Sequence, residues 1–229
     1  MKIQEMLKEA NLKGIQIDEE AFNEYMVLLL EWNEKMNLTS ITEPEEIIEK
    51  HFYDCLLPIF SNPIKGKVID VGSGAGFPGL VFAIVKPDVQ ITLLEPRNKR
   101  CTFLKEVVHQ LGLKNVEIVN ERAEDYGKIH REIFDISIAR AVAPLNILAE
   151  LCVPFVKKGG LFISMKGTQW QEEYEEAKYA FKELGCGEIK VVEEKLPSGA
   201  SRSILSFPKI KETPIKYPRA YGQIKKKPL

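Results

Sequence analysis

The sequence is poor in the residue groupings that build metal centres and disulfide frameworks. Its four cysteines, Cys55, Cys101, Cys152 and Cys186, lie 46, 51 and 34 residues apart, and no CxxC pair occurs. Its three histidines, His51, His109 and His130, are equally scattered. Zinc sites draw on clustered ligands, so no metal is expected, and the thiols read as reduced and buried. Long hydrophobic runs are also missing. The longest, near Met26–Leu30, is far shorter than the roughly 20 residues that span a bilayer. The chain opens Met-Lys-Ile-Gln-Glu and reaches Glu9 without an apolar signal region, so a cytoplasmic protein with no membrane partner is expected. Excess charge of one sign is absent too, since the net charge is −1. Its distribution is uneven, however. Pro208–Leu229 holds seven Lys or Arg and one Glu, a charge of +6, which leaves −7 on the rest of the chain. A basic tail on an acidic body points to a polyanionic partner.

What remains is a globular composition. With 229 residues, 45% hydrophobic and 28% charged, the chain can bury one substantial core and carry a small accessory segment. Residues 1–65 read as a helical cap. Asp18 is placed as an N-cap, with Glu19 and Glu20 in the first turn and Phe22, Tyr25, Leu29, Trp32 and Met36 at helical spacing. Thr42 and Glu45 have capping-box spacing around Pro44, which predicts a short second helix; Asn62-Pro63 marks a break.

From residue 66 to 207 strand and helix alternate. Lys67–Val71, Gln90–Leu94, Val116–Asn120, Phe134–Ala139 and Leu161–Met165 read as strands. The helices between them include Pro78–Val85, Arg97–Leu111 with Gly112 as its stop, Ala143–Val156 and Gln169–Leu184. This order implies a parallel sheet with helices on both faces. Glu188–Glu194 and Ser203–Phe207, joined by the turn Leu196–Ser201, add an antiparallel hairpin. The expected fold is therefore α/β, with a seven-stranded mixed sheet of five parallel strands and a closing hairpin. Residues 208–229 are expected to form the basic C-terminal tail.

The most informative stretch is Asp70-Val71-Gly72-Ser73-Gly74-Ala75-Gly76-Phe77-Pro78-Gly79, which joins the first strand to its helix. Glycines there let a ligand approach the backbone, and ligands of parallel sheets bind at the carboxyl ends of strands. Glu95 closes the second strand 21 residues after Gly74, where a carboxylate can accept both hydroxyls of an adenosine ribose. An adenosine-containing cofactor follows. Gly74-x-Gly76-x-x-Gly79 satisfies the dinucleotide pattern, so the pattern alone admits NAD. Phe77 and Pro78, however, crowd the place of a pyrophosphate. The Asp-Val-Gly-x-Gly-x-Gly form is similar to motif I of the Rossmann-like class I methyltransferases, which implies S-adenosylmethionine. By the same resemblance Glu124, after the third strand, is a candidate to border adenine.

The fourth strand leads into Ala139-Arg140-Ala141-Val142-Ala143-Pro144. The Asn/Asp-Pro-Pro-aromatic motif of enzymes that methylate exocyclic base amines is absent there, as is the cysteine of enzymes acting on pyrimidine C5. Guanine N7 needs neither device, because it carries an in-plane lone pair and no proton. Catalysis would then rest on proximity and alignment, with carboxylates offsetting the charge gained by the product. Arg140 is suited to hold guanine O6, a phosphate or the cofactor's carboxylate, and would leave N7 free.

Further stretches extend the match: Trp32-Asn33-x-x-Met36-Asn37-Leu38-Thr39, Lys50-His51-x-x-Asp54, Leu94-Glu95, Lys99-Arg100, Arg122-Ala123-Glu124, Arg140–Ala143, Lys166-Gly167, Tyr217-Pro218-Arg219 and Lys226–Leu229. With the glycine loop, these make nearly the whole chain resemble the bacterial 16S rRNA guanine-N7 methyltransferase family, RsmG, also called glucose-inhibited division protein B. The resemblance implies methylation of a guanine in the decoding-site loop of small-subunit rRNA, by a chain expected to act as a monomer. It places Gly72, Gly74, Phe77, Glu95, Ala123, Glu124 and Arg140 around the cofactor, with Arg140 also positioning the substrate. Asn37, Lys50, His51, Lys166, Arg202, Arg219, Lys226 and Lys227 are the candidate RNA contacts. Ala220–Ile224 departs from the family's commoner Lys-x-Gly-Thr-Pro run.

Overall fold

A computed structural model describes all 229 residues. The chain runs α1 (Ile3–Leu12), α2 (Glu19–Met36), α3 (Pro44–Ile47), a π-helical turn (Ile48–Tyr53) and α4 (Asp54–Ser61) before entering the sheet. The sheet region follows as β1 (Lys67–Val71), α5 (Gly79–Val85), β2 (Gln90–Leu94), α6 (Asn98–Gln110), β3 (Val116–Val119), α7 (Ala123–Ile129), β4 (Phe134–Arg140) and α8 (Leu145–Cys152). Then come β5 (Val156–Lys166), α9 (Trp170–Glu183), β6 (Lys190–Lys195), β7 (Ser201–Pro208) and α10 (Tyr221–Lys226). No helix is long and apolar enough to cross a membrane.

The spatial order β3-β2-β1-β4-β5-β7-β6 gives the seven-stranded mixed sheet. β1 to β5 are parallel, and β7 inserts antiparallel between β5 and β6. The order reverses between β1 and β4, so their carboxyl ends, Val71 and Arg140, flank the crevice where such sheets bind ligands. Two cores cover the two faces. One joins Phe22, Tyr25, Leu29 and Phe52 of the cap to Leu80, Leu93, Phe103 and Ile138; the other gathers Ile69, Leu148, Phe162, Phe181 and Phe207.

Local physics accounts for most boundaries. Asp18 Oδ1 accepts from the amides of Glu20 and Ala21, which fixes the start of α2. Gly112, with φ of +61°, ends α6 as a left-handed stop. The predicted capping box at Thr42 is not formed: Glu43 occupies the N-cap of α3, without a side-chain cap, and Pro44 sits in the first turn. α5 begins at Gly79, one residue later than predicted, because Asp70 Oδ2 captures the Gly79 amide at 2.9 Å.

The residues after β7 do not form a free tail. Lys209 is buried and pairs with Glu132 at 2.5 Å, and Arg131 donates to the carbonyls of Thr213 and Tyr217. Ile224 of α10 is buried in the core around α8.

Candidate functional site

A cleft of about 570 Å³ opens at the β1/β4 switch point. Its volume lies within the ~300–1,000 Å³ usual for ligand pockets. One wall is the glycine loop, Gly72 to Ala75 with Phe77; the opposite wall is Thr39, Lys50, His51 and Asp54 of the cap; Arg140, Lys166 and Arg202 close the end. The loop reaches this shape because Gly72, Gly74 and Gly76 adopt φ of +76°, +61° and +95°. A Cβ on Gly72 would meet Val142 at 2.8 Å.

Glu95 stands behind the loop, buried at the end of β2. Its two oxygens accept from the amides of Gly74 and Arg97, each at 2.9 Å. Arg100 Nη1 lies 3.8 Å from the same group, and a carboxylate has about four acceptor positions, so room remains for a ribose diol. Ala123 and Glu124 open α7 at the end of β3, the next strand outward. These three border the loop side and do not line the cleft itself. The positive-φ loop, the partly free Glu95 carboxylate and the cleft volume together fit S-adenosylmethionine.

Arg140 is the hub. It donates to the Lys50 carbonyl at 3.0 Å, to Asp54 Oδ2 at 3.1 Å and to His51 Nδ1 at 3.2 Å, and its guanidinium lies 5.0 Å from the Phe77 ring centre. Asp54 Oδ1 accepts from Arg202 Nε at 2.9 Å, so one carboxylate holds both arginines. Burial pushes the Asp54 acid up, and the two guanidiniums pull against that shift. Burial works against the charge of Arg140, but Cys55 and Asp54 beside it hold its pKa above the ordinary value.

His51 stacks on Phe77 with ring centres 4.5 Å apart, and its Nε2 meets Thr39 Oγ1 at 2.8 Å. Because Arg140 can only donate, Nδ1 is the acceptor and Nε2 carries the proton. Burial, then the nearby Arg140 charge, pushes its pKa down to about 3. His51 is therefore neutral. Lys50 and His51 ride on the π-helical turn, a distortion that recurs at functional sites. Beyond β4, Ala141 takes a left-handed φ of +54°, a local strain of order 1 kcal/mol at the cleft wall.

The remaining candidates lie apart. Lys166 lines the cleft but is bound to Glu173 at 2.7 Å and to the Ala143 carbonyl at 2.9 Å. Asn37 is the left-handed C-cap of α2, in a neighbouring depression. Arg219 forms a two-point ion pair with buried Glu150, and Lys226 and Lys227 are exposed on the C-terminal segment. No group of three or more His, Cys, Asp or Glu side chains could hold a metal, and all four cysteines are free and buried.

Asp54, Thr39 and Arg100 are site residues to which sequence reasoning gave no role. For Asp54 the signal was its spacing three residues after His51, which sets the two on one helix face. Nothing local marked Arg202 as its second partner, which comes from 148 residues away.

Residues 18–204 match the GidB family, described as rRNA small subunit methyltransferase G. The chain belongs to that family. Relatives named ribosomal RNA small subunit methyltransferase G include one from Alkaliphilus metalliredigens, 50% identical over 94% of each chain. Another, from Clostridium perfringens, is 46% identical over 98% of this chain and 97% of its own. Among solved structures, a SAM-dependent O-methyltransferase from Thermotoga maritima shares the fold, with a TM-score of 0.53 and 17% identity over 81% of this chain and 73% of its own. Family membership makes the chain a methyltransferase, in agreement with the fold read from the glycine loop and hairpin.

Proposed function

We propose that this chain transfers the methyl group of S-adenosylmethionine to N7 of a guanine in the decoding-site loop of bacterial 16S rRNA. One observation carries the choice of acceptor: the cleft offers no general base. Its only histidine is neutral with Nδ1 occupied by Arg140, and both oxygens of its only carboxylate, Asp54, are held by arginines. An exocyclic amine or a ribose hydroxyl would have to shed a proton with no base to receive it. Guanine N7 has none to lose.

In this reading Gly72, Gly74, Phe77, Glu95, Ala123 and Glu124 seat the cofactor, and Arg140 orients guanine through O6 or the cofactor through its carboxylate. When bound, S-adenosylmethionine supplies a methyl on a sulfonium, and its positive charge passes to the guanine ring as the C–S bond breaks and the N7–C bond forms. Catalysis rests on alignment, worth up to about 7–11 kcal/mol where the geometry is good. Asp54 does not offset the product's charge, since its own is engaged by two guanidiniums.

Five cationic side chains line the cleft, Lys50, Arg100, Arg140, Lys166 and Arg202, against one carboxylate. That excess suits an RNA substrate despite a net charge of −1 for the chain. Residues 1–65 are then a substrate-facing cap, 66–207 the cofactor core and 208–229 a basic strap. Because one chain forms the whole cleft, we take the working unit as a monomer, acting in the cytoplasm where small ribosomal subunits reside. The test is nucleoside analysis of small-subunit rRNA after reaction with labelled cofactor. Label in 7-methylguanosine is expected; label in another nucleoside, or none, would overturn the reading.

A further inference from the structure

A second depression, of about 340 Å³, adjoins the cleft where the turn after α2 meets the start of α6. Met36, Asn37, Arg97, Asn98, Lys99 and Arg100 line it. Arg100 borders both spaces, so the two lie on either side of one side chain. Three of the six lining residues are cations and none is acidic. The five cations of the cleft are committed: Lys50 pairs with Glu46, Lys166 with Glu173, Arg100 with Glu95 at 3.8 Å, and Arg140 and Arg202 with Asp54. Arg97 and Lys99 pair with nothing and are exposed.

We propose that this hollow seats a backbone phosphate of the RNA strand whose guanine enters the cleft. The inference rests on the RNA-methylating reading and adds the place where the strand is gripped. The chemistry favours a phosphate over a base. Guanidinium and ammonium groups only donate hydrogen bonds, as a phosphate requires, whereas a base edge presents donors as well. No aromatic ring lines the hollow, so it has no platform on which a base could stack. Asn37 and Asn98 add side-chain amide donors. Asn37 is held at the rim by its left-handed φ of +50° as the C-cap of α2.

The test is Arg97→Gln/Lys99→Gln, with Lys99→Gln alone as a second variant, binding a small-subunit rRNA fragment between 50 and 200 mM salt. Each phosphate contact to single-stranded RNA contributes roughly 0.7 to the slope of log K against log salt, so losing this one seat should lower the slope by about 0.7 in the double variant and by less in the single variant. Binding at the lowest salt should weaken about tenfold or more in the double variant, while S-adenosylhomocysteine affinity and Tm stay at wild-type values. An unchanged RNA slope, or a loss matched by an equal fall in S-adenosylhomocysteine affinity, overturns the phosphate seat. Wild-type protein that binds the RNA but transfers no methyl overturns the functional reading instead, so the two failures are distinguishable.

Discussion

Tyr25 donates its hydroxyl to the carbonyl of Ala75 at 2.5 Å, across 50 residues of sequence, and so ties the helical cap directly to the cofactor loop. The ring is fully buried and packs on Phe77 with centres 5.4 Å apart. Burial first, and then the Cys55 thiol, push the Tyr25 phenol well above its usual range, so it remains a donor. The helical cap, whose later turns carry His51 and Asp54, is thereby fastened to the glycine loop.

Tyr25→Phe keeps the ring and removes this bond. A buried carbonyl left without a donor costs about 1–3 kcal/mol. Urea unfolding should report a loss of that size, and isothermal titration should show weaker binding of S-adenosylhomocysteine. Cofactor affinity equal to wild type would show that the loop holds its shape without the cap.

Asp54→Asn removes the charge that holds Arg140 and Arg202 together while keeping the volume. Breaking a buried pair by neutralising one partner costs about 3–5 kcal/mol in general, a figure that is an upper range here because Arg202 is partly exposed. With both guanidiniums unfastened, kcat/KM for rRNA should fall at least tenfold, more than cofactor affinity does. Unchanged kcat/KM would contradict the role given to the pair.

The depressed His51 pKa makes stability depend on pH. The unfolded imidazole binds a proton near 6.5 and the folded one only near 3, so between these values the unfolded state holds more protons. Stability is therefore lost as pH falls below about 6.5. Asp70 acts oppositely: burial raises its acid from 3.8 to about 7, so its contribution is present at low pH and is lost as pH rises through 7. His51→Gln removes only the first effect. Its Tm should fall less steeply than wild type between pH 6.5 and about 5; parallel curves would contradict a neutral, buried His51.

Arg219→Ala takes the guanidinium from the fully buried Glu150 carboxylate and leaves it only the amide of residue 219. The expected result is a stability loss of at most about 3–5 kcal/mol, since Arg219 is partly exposed and one donor remains, with the salt slope of RNA binding unchanged after correction for the folded fraction. A lower slope would restore Arg219 as an RNA contact.

The sheet was legible in the sequence because parallel strands buried on both faces read as short apolar runs, and glycines mark the turns that feed helices. Asp18 and Gly112 were legible for local reasons, through capping and left-handed φ. Other features needed the third dimension. The π-helical turn over Ile48–Tyr53 has no spacing signal distinct from an α-helix. The C-terminal segment read as a basic tail because its charges are read one by one; Glu132 and Glu150, which bind Lys209 and Arg219, lie 77 and 69 residues away. The meeting of the glycine loop with Glu95 was legible from order along the chain, whereas the Arg140–Asp54–Arg202 cluster joins three elements no local pattern connects.

The acceptor atom itself gives the most direct test. A small-subunit rRNA substrate can be built with 7-deazaguanosine at the mapped target, which replaces N7 by a carbon and preserves the pairing face, alongside an unmodified control and an inosine substitution that lacks only the exocyclic amine. The account predicts methyl transfer to the control and to inosine and none to the 7-deaza substrate. Transfer to the 7-deaza substrate, or loss of transfer with inosine alone, would contradict base-free attack by N7.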